Sequence, residues 1–307
     1  MRLAADWLAR PGLRAVVAAL GGACHFVGGC VRNTLIGAPV SDIDLATPLL
    51  PGEVVRRLEA AGLKAVPTGI EHGTVTTVST GVGYEITSFR ADIETDGRRA
   101  RVRFSTDLAA DAARRDFTMN ALYADPDGTI IDPVGGLPDL KARRVRFIGE
   151  PQARIREDYL RILRFFRFTA WYGSDIDADG LAACAGLAAG VDGLARERIG
   201  HEMRKLLAAP DPSPAVAAMA AAGVLARCLP GADPAPLAPL VHVEGATGAA
   251  PDWLARLAAL GGEDPEARLR LSRAEVRELE TMRRLIAEPL PPAAAAHAHG
   301  ARAARAM

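Results

Sequence analysis

The sequence predicts an α+β protein in which an N-terminal mixed domain built on a small sheet precedes an all-helical remainder. Up to about residue 135, short β-like runs (HFVGG, DIDLAT, TVTTVS, YEITSF, NALYAD, TIIDP) alternate with amphipathic stretches such as PGEVVRRLEAAGL. From Gly136 onward strand signals stop. Helical periodicity takes over in DYLRILRFFRFTAWYG, ARERIGHEMRKLLAA, PAVAAMAAAGVLARCL, WLARLAALG and RAEVRELETMRRLIAE, broken by Pro and Gly clusters. The expected divisions are 1–140 for the mixed domain, 141–209 for a first helical segment, 210–290 for a helical body and 291–307 for a low-complexity, poorly ordered Ala/His/Arg tail. The charged run Arg90–Arg103 (RADIETDGRRARVR) reads as a mobile loop or frayed hairpin able to close over a substrate.

With 307 residues, 49% hydrophobic and 24% charged, the chain holds enough apolar material for two or three folded domains. The opening MRLAADWLARPGLRAVVAAL is interrupted by Asp6, Arg10, Pro11 and Arg14, so neither a signal h-region nor a membrane span is expected and the expected location is the cytoplasm. Cys24, Cys30, Cys184 and Cys228 lack C-x-x-C spacing and a partnering His cluster, which points to buried thiols and excludes a zinc site or disulfide framework. His297 and His299 stand alone in the tail and do not make a metal site. A formal net charge of zero removes the simple argument that a basic protein binds nucleic acid. Locally, however, Lys141–Arg167 carries nine basic residues (Lys141, Arg143, Arg144, Arg146, Arg154, Arg156, Arg161, Arg164, Arg167) against Glu150, Glu157 and Asp158, a stripe that suits either a phosphate backbone or plain solvent.

The strongest chemical signal is HFVGGCVRNTLIGAPVSDIDLAT, residues 25–47. A short apolar strand ends in Gly28 and Gly29, and VRNTLIG reads as a helix whose N-terminal N–H groups suit a triphosphate. Arg32 in its first turn can pair with phosphate oxygens. After Gly37 and Pro39 the chain re-enters a strand in which Asp42 and Asp44, two apart, share a face. Carboxylates held that close repel unless a divalent cation lies between them, and Mg²⁺, which takes few carboxylates plus substrate phosphates, suits the pair. Glu85, with Tyr84, Ile86 and Ser88 on the opposite strand face, is a candidate third carboxylate; alternation alone equally fits an exposed strand residue.

GGCVRN…SDIDLAT, followed by ARRDFTMNALYAD at 113–125 and IREDYLRILRFFRF at 155–168, resembles the class II tRNA nucleotidyltransferase and bacterial poly(A) polymerase family over roughly residues 24–230, in particular its CCA-adding members, with a composition reminiscent of alphaproteobacterial ones. The resemblance implies a polymerase beta-like nucleotidyltransferase head, a neck that recognises the incoming base, and helical domains that grip tRNA. It implies two Mg²⁺ ions, CTP and ATP as substrates, in-line attack of an RNA 3′-hydroxyl on the α-phosphate and release of pyrophosphate. No protein partner and no membrane are implied. By motif, Asp42 and Asp44 match the metal-binding aspartates, Gly28, Gly29 and Arg32 the triphosphate turn, and Arg115, Asp116 and Asn120 the ribose and nucleotide motif. Asn33 departs from the Asp that many members carry and receives no catalytic role.

The neck can also be argued from chemistry. Glu157, Asp158 and Arg161 fall at i,i+4 and i,i+3 at the start of an apparent helix, on neighbouring surface, with Arg164 one turn on. Cytosine and adenine both present an amino donor beside an unprotonated ring nitrogen. Uracil, and guanine at its O6/N1 edge, present a carbonyl beside an N–H. An Asp that accepts from the amino group and an Arg that donates to the ring nitrogen therefore admit CTP and ATP, and Glu157 can hold Arg161 in place. An ordinary surface ion pair is the bland alternative. LARERIGHEMRKLL, 194–207, resembles the family's last motif and is expected mostly to pack and brace the neck, while Phe165, Phe166, Phe168 and Trp171 read as core. Family members continue through a fuller helical tail, so the body is expected to be truncated. A poly(A) polymerase or a C-only or A-only enzyme remains a rival within the same chemistry, and a catalytically idle RNA-binding relative a rival outside it.

Overall fold

The computed structural model describes residues 1–92 and 102–288. The middle of the Arg90–Arg103 run and the tail with His297 and His299 lie outside the described residues. Two compact units divide between Gly149 and Glu150, nine residues past the expected boundary at 140. The reason is packing. Val145 and Phe147 are buried, the Phe147 ring lies 4.9 Å from Phe117, and Phe117 and Phe147 form a bridge, so this segment completes the first unit.

In the first unit the strands are β1 (His25–Val27), β2 (Asp44–Thr47), β3 (Lys64–Gly69), β4 (Thr74–Ser79), β5 (Val82–Ser88), β6 (Arg90–Asp92), β7 (Val102–Phe104), β8 (Tyr123–Ala124) and β9 (Ile130–Ile131). Seven form one sheet in the order β3-β4-β5-β2-β1-β8-β9; β6 and β7 pair separately. Every neighbouring pair in the large sheet is antiparallel except β2 and β5, which run parallel. The sheet is mixed and small, as expected from the alternating runs. The edge strand β3 is not visible as such a run. It carries Pro67, and its pairing with β4 shifts register between Val66 and Gly69.

One sheet face is buried and largely apolar. Leu45, Val75, Tyr84 and Ile86 are buried there, beneath α1 (Pro11–Ala19) and α3 (Pro51–Ala60), which contribute Leu13, Val16, Val54 and Leu58. Between them in sequence lies α2 (Gly29–Leu35); α4 (Leu108–Ala113) falls between β7 and β8, and α5 (Gly136–Lys141) follows β9. The other face is split. Val27, Ala46, Phe89, Ala112 and Tyr123 form a core cluster, and beside it Asp44 and Glu85 are left uncovered enough to meet solvent.

The second unit is helical throughout its described residues, as expected: α6 (Pro151–Glu157), α7 (Leu160–Tyr172), α8 (Ala178–Gly186), α9 (Arg196–Leu207), α10 (Ser213–Ala221), α11 (Val224–Cys228), α12 (Leu237–Thr247), α13 (Trp253–Leu260), α14 (Pro265–Leu269) and α15 (Arg273–Ala287), with one 3-10 segment at Ala188–Gly193. Phe165, Phe166 and Phe168 on α7 and Ile199, Met203, Leu206 and Leu207 on α9 supply core, as their spacing predicts. Trp171 is half-exposed, its indole N–H donating to the Lys205 carbonyl at 2.7 Å. All four cysteines are free and buried. No helix among the described residues is long and apolar enough to cross a membrane.

The most buried cation, Arg256 on α13, is also a staple. Its guanidinium donates to the Leu207 carbonyl at 2.7 Å, to Ala209 and, at 3.1 Å, to Pro210, closing the end of α9, and it pairs with Glu244 at 2.6 Å. Replacing it with Leu would leave Glu244 and three carbonyls without their donor. We expect Arg256→Leu to destabilise the helical unit by about 3–5 kcal/mol, read as a lowered urea midpoint; an unchanged midpoint would refute the staple.

Candidate active site

The parallel pairing of β2 and β5 sets Asp44 directly opposite Glu85, on the face where alternation leaves both side chains toward solvent. Asp42 does not share the strand as expected. β2 begins at Asp44, and Asp42 lies in the extended segment before it, with Ile43 buried between the two. The alternation survives without the ladder because Ile43 anchors the inward side. Burial, then the charges of Glu85 and Asp42, push the Asp44 carboxyl up to about 6, and Arg115 opposes them. Three carboxylates are thus electrostatically coupled. Asp42 is further oriented by the Ser41 hydroxyl at 2.8 Å.

The turn at Gly28 takes the conformation its glycine demands. Gly28 has φ 68° and ψ −119°, which side chains avoid, and a Cβ there would come within 3.7 Å of both Arg115 and the Asn120 carbonyl. This close approach links the turn to the ARRDFTMNA segment, joining two motifs almost ninety residues apart. Asn120 accepts from Arg32 and donates to Asp116 at 2.9 Å, and Asp116 also accepts from the Phe117 N–H at 2.8 Å. Arg32 is buried and also donates from Nε and Nη2 to Asn33 at 3.1 and 2.8 Å. Asn33, given no role from sequence, in turn donates to the Pro39 carbonyl at 2.7 Å, tying Arg32 to the loop that leads to Asp42. An amide can do this because it accepts and donates at once.

Arg115 is held from behind by residues that motif reading passed over. Its Nε donates to the Tyr123 hydroxyl at 2.9 Å and its Nη2 to Asp111 at 3.2 Å, while the Tyr123 hydroxyl donates to Asp111 at 2.7 Å. Asp111 also accepts from the Arg90 backbone N–H at 3.1 Å. Burial, above all, holds the Tyr123 phenol protonated. Asp111 lies four residues before Arg115 on α4, an i,i+4 spacing that is the one sequence signal for it.

The expected basic stripe is not a continuous free surface. Lys141 to Arg146 belong to the first unit, where Arg144 and Arg146 both pair at 2.8 Å with buried Asp139. Burial alone would raise the Asp139 carboxyl, but hydrogen bonds from Thr118, Arg144 and Arg146 hold it below the usual carboxylate range. In the second unit Arg154 and Arg161 pair with Glu157 at 3.1 and 2.5 Å, Arg167 pairs with Glu202, and Arg164 lies over the Phe168 ring at 5.2 Å. Charge counting missed the pairs to Asp139 and Glu202 because those carboxylates fall outside the counted window.

Glu157, Asp158 and Arg161 do not sit on one helix. α6 ends at Glu157, and Asp158 takes extended backbone (φ −154°, ψ 105°) before α7 begins. Glu157 still reaches Arg161, whose Nη1 also donates to the Arg154 carbonyl at 2.8 Å. The break turns the Asp158 carboxylate elsewhere: one oxygen accepts from the Leu160 N–H at 3.0 Å and the other from Arg198 at 2.7 Å.

Residues 24–146 match the family described as Poly A polymerase head domain, and residues 173–235 match the one described as probable RNA and SrmB-binding site of polymerase A. The solved structure of the CCA-adding enzyme of Bacillus stearothermophilus in complex with CTP superposes with a TM-score of 0.78 at 32% identity, covering 97% of this chain and 78% of that one. The chain belongs to the CCA-adding enzyme family. Its mixed-sheet head and helical remainder are the architecture of that family. Human mitochondrial CCA tRNA nucleotidyltransferase 1 is 43% identical over 190 residues, 60% of this chain and 43% of its own. The CCA-adding enzyme of Leuconostoc citreum is 39% identical over 246 residues, 80% of this chain and 56% of its own. The chain spans about half the length of the curated relatives it matches.

The donor set of this family member fits a hard divalent cation. No group of three or more His, Cys, Asp or Glu able to enclose a metal occurs among the described residues. Mg²⁺ needs no such cage, because it takes one or two carboxylates and fills its shell with water and phosphate. Burial raises the Asp44 carboxyl most, and the like charges of Glu85 and Asp42 raise it further; a cation would offset those two charges. Because its folded pKa lies above the unfolded value of 3.8, Asp44 lowers metal-free stability as pH rises through about 6, and has no such cost below 3.8. Asp44→Asn in chelator should therefore raise the urea midpoint at about pH 8, by on the order of 1 kcal/mol, and leave it unchanged near pH 3.5. Equal effects at both pH values would contradict the carboxylate coupling.

Proposed function

We propose that this chain transfers CMP and AMP from CTP and ATP to the 3′ end of tRNA, releasing pyrophosphate. The observation that carries the reading is Asp44 across from Glu85 and coupled to Asp42, in a unit that also brings Gly28, Arg32, Arg115 and Asn120 together. The names of the relatives, CCA tRNA nucleotidyltransferase and CCA-adding enzyme, support the same reaction. On this reading Asp42 and Asp44 hold Mg²⁺, and Glu85 adds negative charge beside them. Bound metal would supply Lewis acidity at the attacking hydroxyl and the leaving oxygen. Gly28 and Gly29 let the triphosphate approach bare backbone. Arg32 and Arg115 meet its charge, while Asp116 and Asn120 orient Arg32 and the sugar.

Base choice falls to the second unit. Asp158 accepts from the exocyclic amino group of cytosine or adenine, Arg161 donates to the ring nitrogen, Glu157 holds Arg161, and Arg164 extends the cationic edge. Residues 1–149 thus act as head, the helices through 209 as neck and those beyond as body. The enzyme works in the cytoplasm.

The deciding experiment is incorporation of each labelled nucleotide, with Mg²⁺, into tRNAs lacking the CCA end, ending after its first C, or ending after its second C. Ordered addition of C, C and A with UTP and GTP refused is expected, and Asp42→Ala and Asp44→Ala should reduce it to background. Long runs of A alone would make the chain a poly(A) polymerase. RNA binding without incorporation would make it an idle relative.

A further inference from the structure

We propose that Arg198 on α9 is a positioning residue for nucleotide selection, orienting the Asp158 carboxylate as the acceptor that distinguishes amino-bearing bases from carbonyl-bearing ones. The inference rests on the role of Asp158 given above.

Asp158 stands between two helices, where its side chain has no helical neighbours to define its rotamer. Two donors define it instead, one per oxygen: the Leu160 N–H at 3.0 Å and Arg198 Nη2 at 2.7 Å. An ionised carboxylate offers about four lone-pair directions, so acceptor capacity remains for an exocyclic amino group. The guanidinium and the amide together set the plane in which that capacity points. The first donor comes from the turn itself. Arg198 alone of the two comes from another element, forty residues on.

Both sides of this contact are held in place by close packing. Tyr159, next to Asp158, lies so tightly against Gly190 that a Cβ there would be 1.9 Å from its ring. Behind Arg198, Ile199 is buried, and a Cβ on Gly200 would be 2.0 Å from the Leu269 carbonyl. α7 and α9 are joined again by Arg167–Glu202 and by Trp171 to the Lys205 carbonyl. The links Asp158–Arg198, Arg167–Glu202 and Trp171–Lys205 fall in the same order on both segments, so α7 and α9 run parallel and register Arg198 against Asp158.

The pair itself adds little stability. Arg198 and Asp158 are 46% and 38% exposed, and ion pairs of that exposure contribute near zero to folding. What removing Arg198 changes is the orientation of the carboxylate. The other half of the reader is held differently: Arg161 is pinned from α6, by Glu157 and the Arg154 carbonyl. The contact that Arg198 makes is therefore to the acceptor, while α6 holds the donor.

The test is equilibrium binding of CTP, ATP and UTP, together with kcat/KM for their incorporation, in the wild type, Arg198→Ala and Arg198→Lys. Arg198→Ala should keep the wild-type melting temperature, lose about tenfold in the CTP-to-UTP and ATP-to-UTP binding ratios, and show the loss chiefly in KM. Arg198→Lys should recover part of it. An Arg198→Ala protein that retains the wild-type ratios overturns the proposal, as does one that binds every nucleotide more tightly at an unchanged ratio, since Arg198 would then only compete for Asp158. A wild type that binds without discrimination overturns it too. Discrimination in binding without any transfer would leave this inference standing and refute the polymerising reaction instead.

Discussion

Like charge on one sheet face is the constraint around which the first unit is arranged. The parallel β2–β5 pairing puts Asp44 beside Glu85, and Ile43 turns Asp42 to the same side. Burial first, and then the charges of Glu85 and Asp42, raise the Asp44 carboxyl to about 6. Arg115 opposes that rise, and a cation of this kind must be kept from collapsing onto the carboxylates as a simple ion pair. Asp111 and the Tyr123 hydroxyl hold it back, each bonded to the other as well as to the guanidinium. The buried triad is fully satisfied at its core, the condition under which a polar network rigidifies a site instead of weakening it.

Arg32 is treated in the same way. It is buried and donates hydrogen bonds to the neutral amides of Asn33 and Asn120. Asn33 is the informative case. A carboxylate at that position would add a negative charge beside Arg32, while the amide keeps the contact without adding one and still reaches Pro39. The departure from the family pattern therefore keeps a hydrogen-bonded contact to Arg32.

Most of the first unit was legible from alternation and from glycine chemistry. Six strand runs, the α3 helix and the split between mixed and helical halves follow from apolar periods alone, and the turn after β1 from the pair Gly28 and Gly29; the positive φ at Gly28 is added by the structure. What was not legible depends on pairing and packing partners that a single helical or strand period does not reveal. The edge strand β3 exists because β4 pairs with it despite Pro67. Residues 141–149 join the first unit because Phe147 meets Phe117 and Asp139 collects two arginines. Asp158 leaves the helix because its carboxylate caps Leu160 and reaches Arg198. Local i,i+4 reasoning found Glu157–Arg161, which is local, and could not find Arg198, which is not.

The helical unit separates stability from selection by burial. Arg167–Glu202 is 11% and 5% exposed, so loss of either partner strands a charge away from water, at a cost of about 3–5 kcal/mol. Four residues earlier on α9, Arg198 makes the same kind of contact at the surface, where loss of a partner leaves a solvated carboxylate and almost no folding penalty. The buried pair holds the two helices in register, and the exposed pair uses that register to aim one side chain. A surface contact can act as a geometric device only when something rigid lies beneath it. Here the rigid layer is made of the Arg167–Glu202 pair, Tyr159 against Gly190 and Gly200 against Leu269, so the position that aims Asp158 is free to vary without unfolding the unit that carries it.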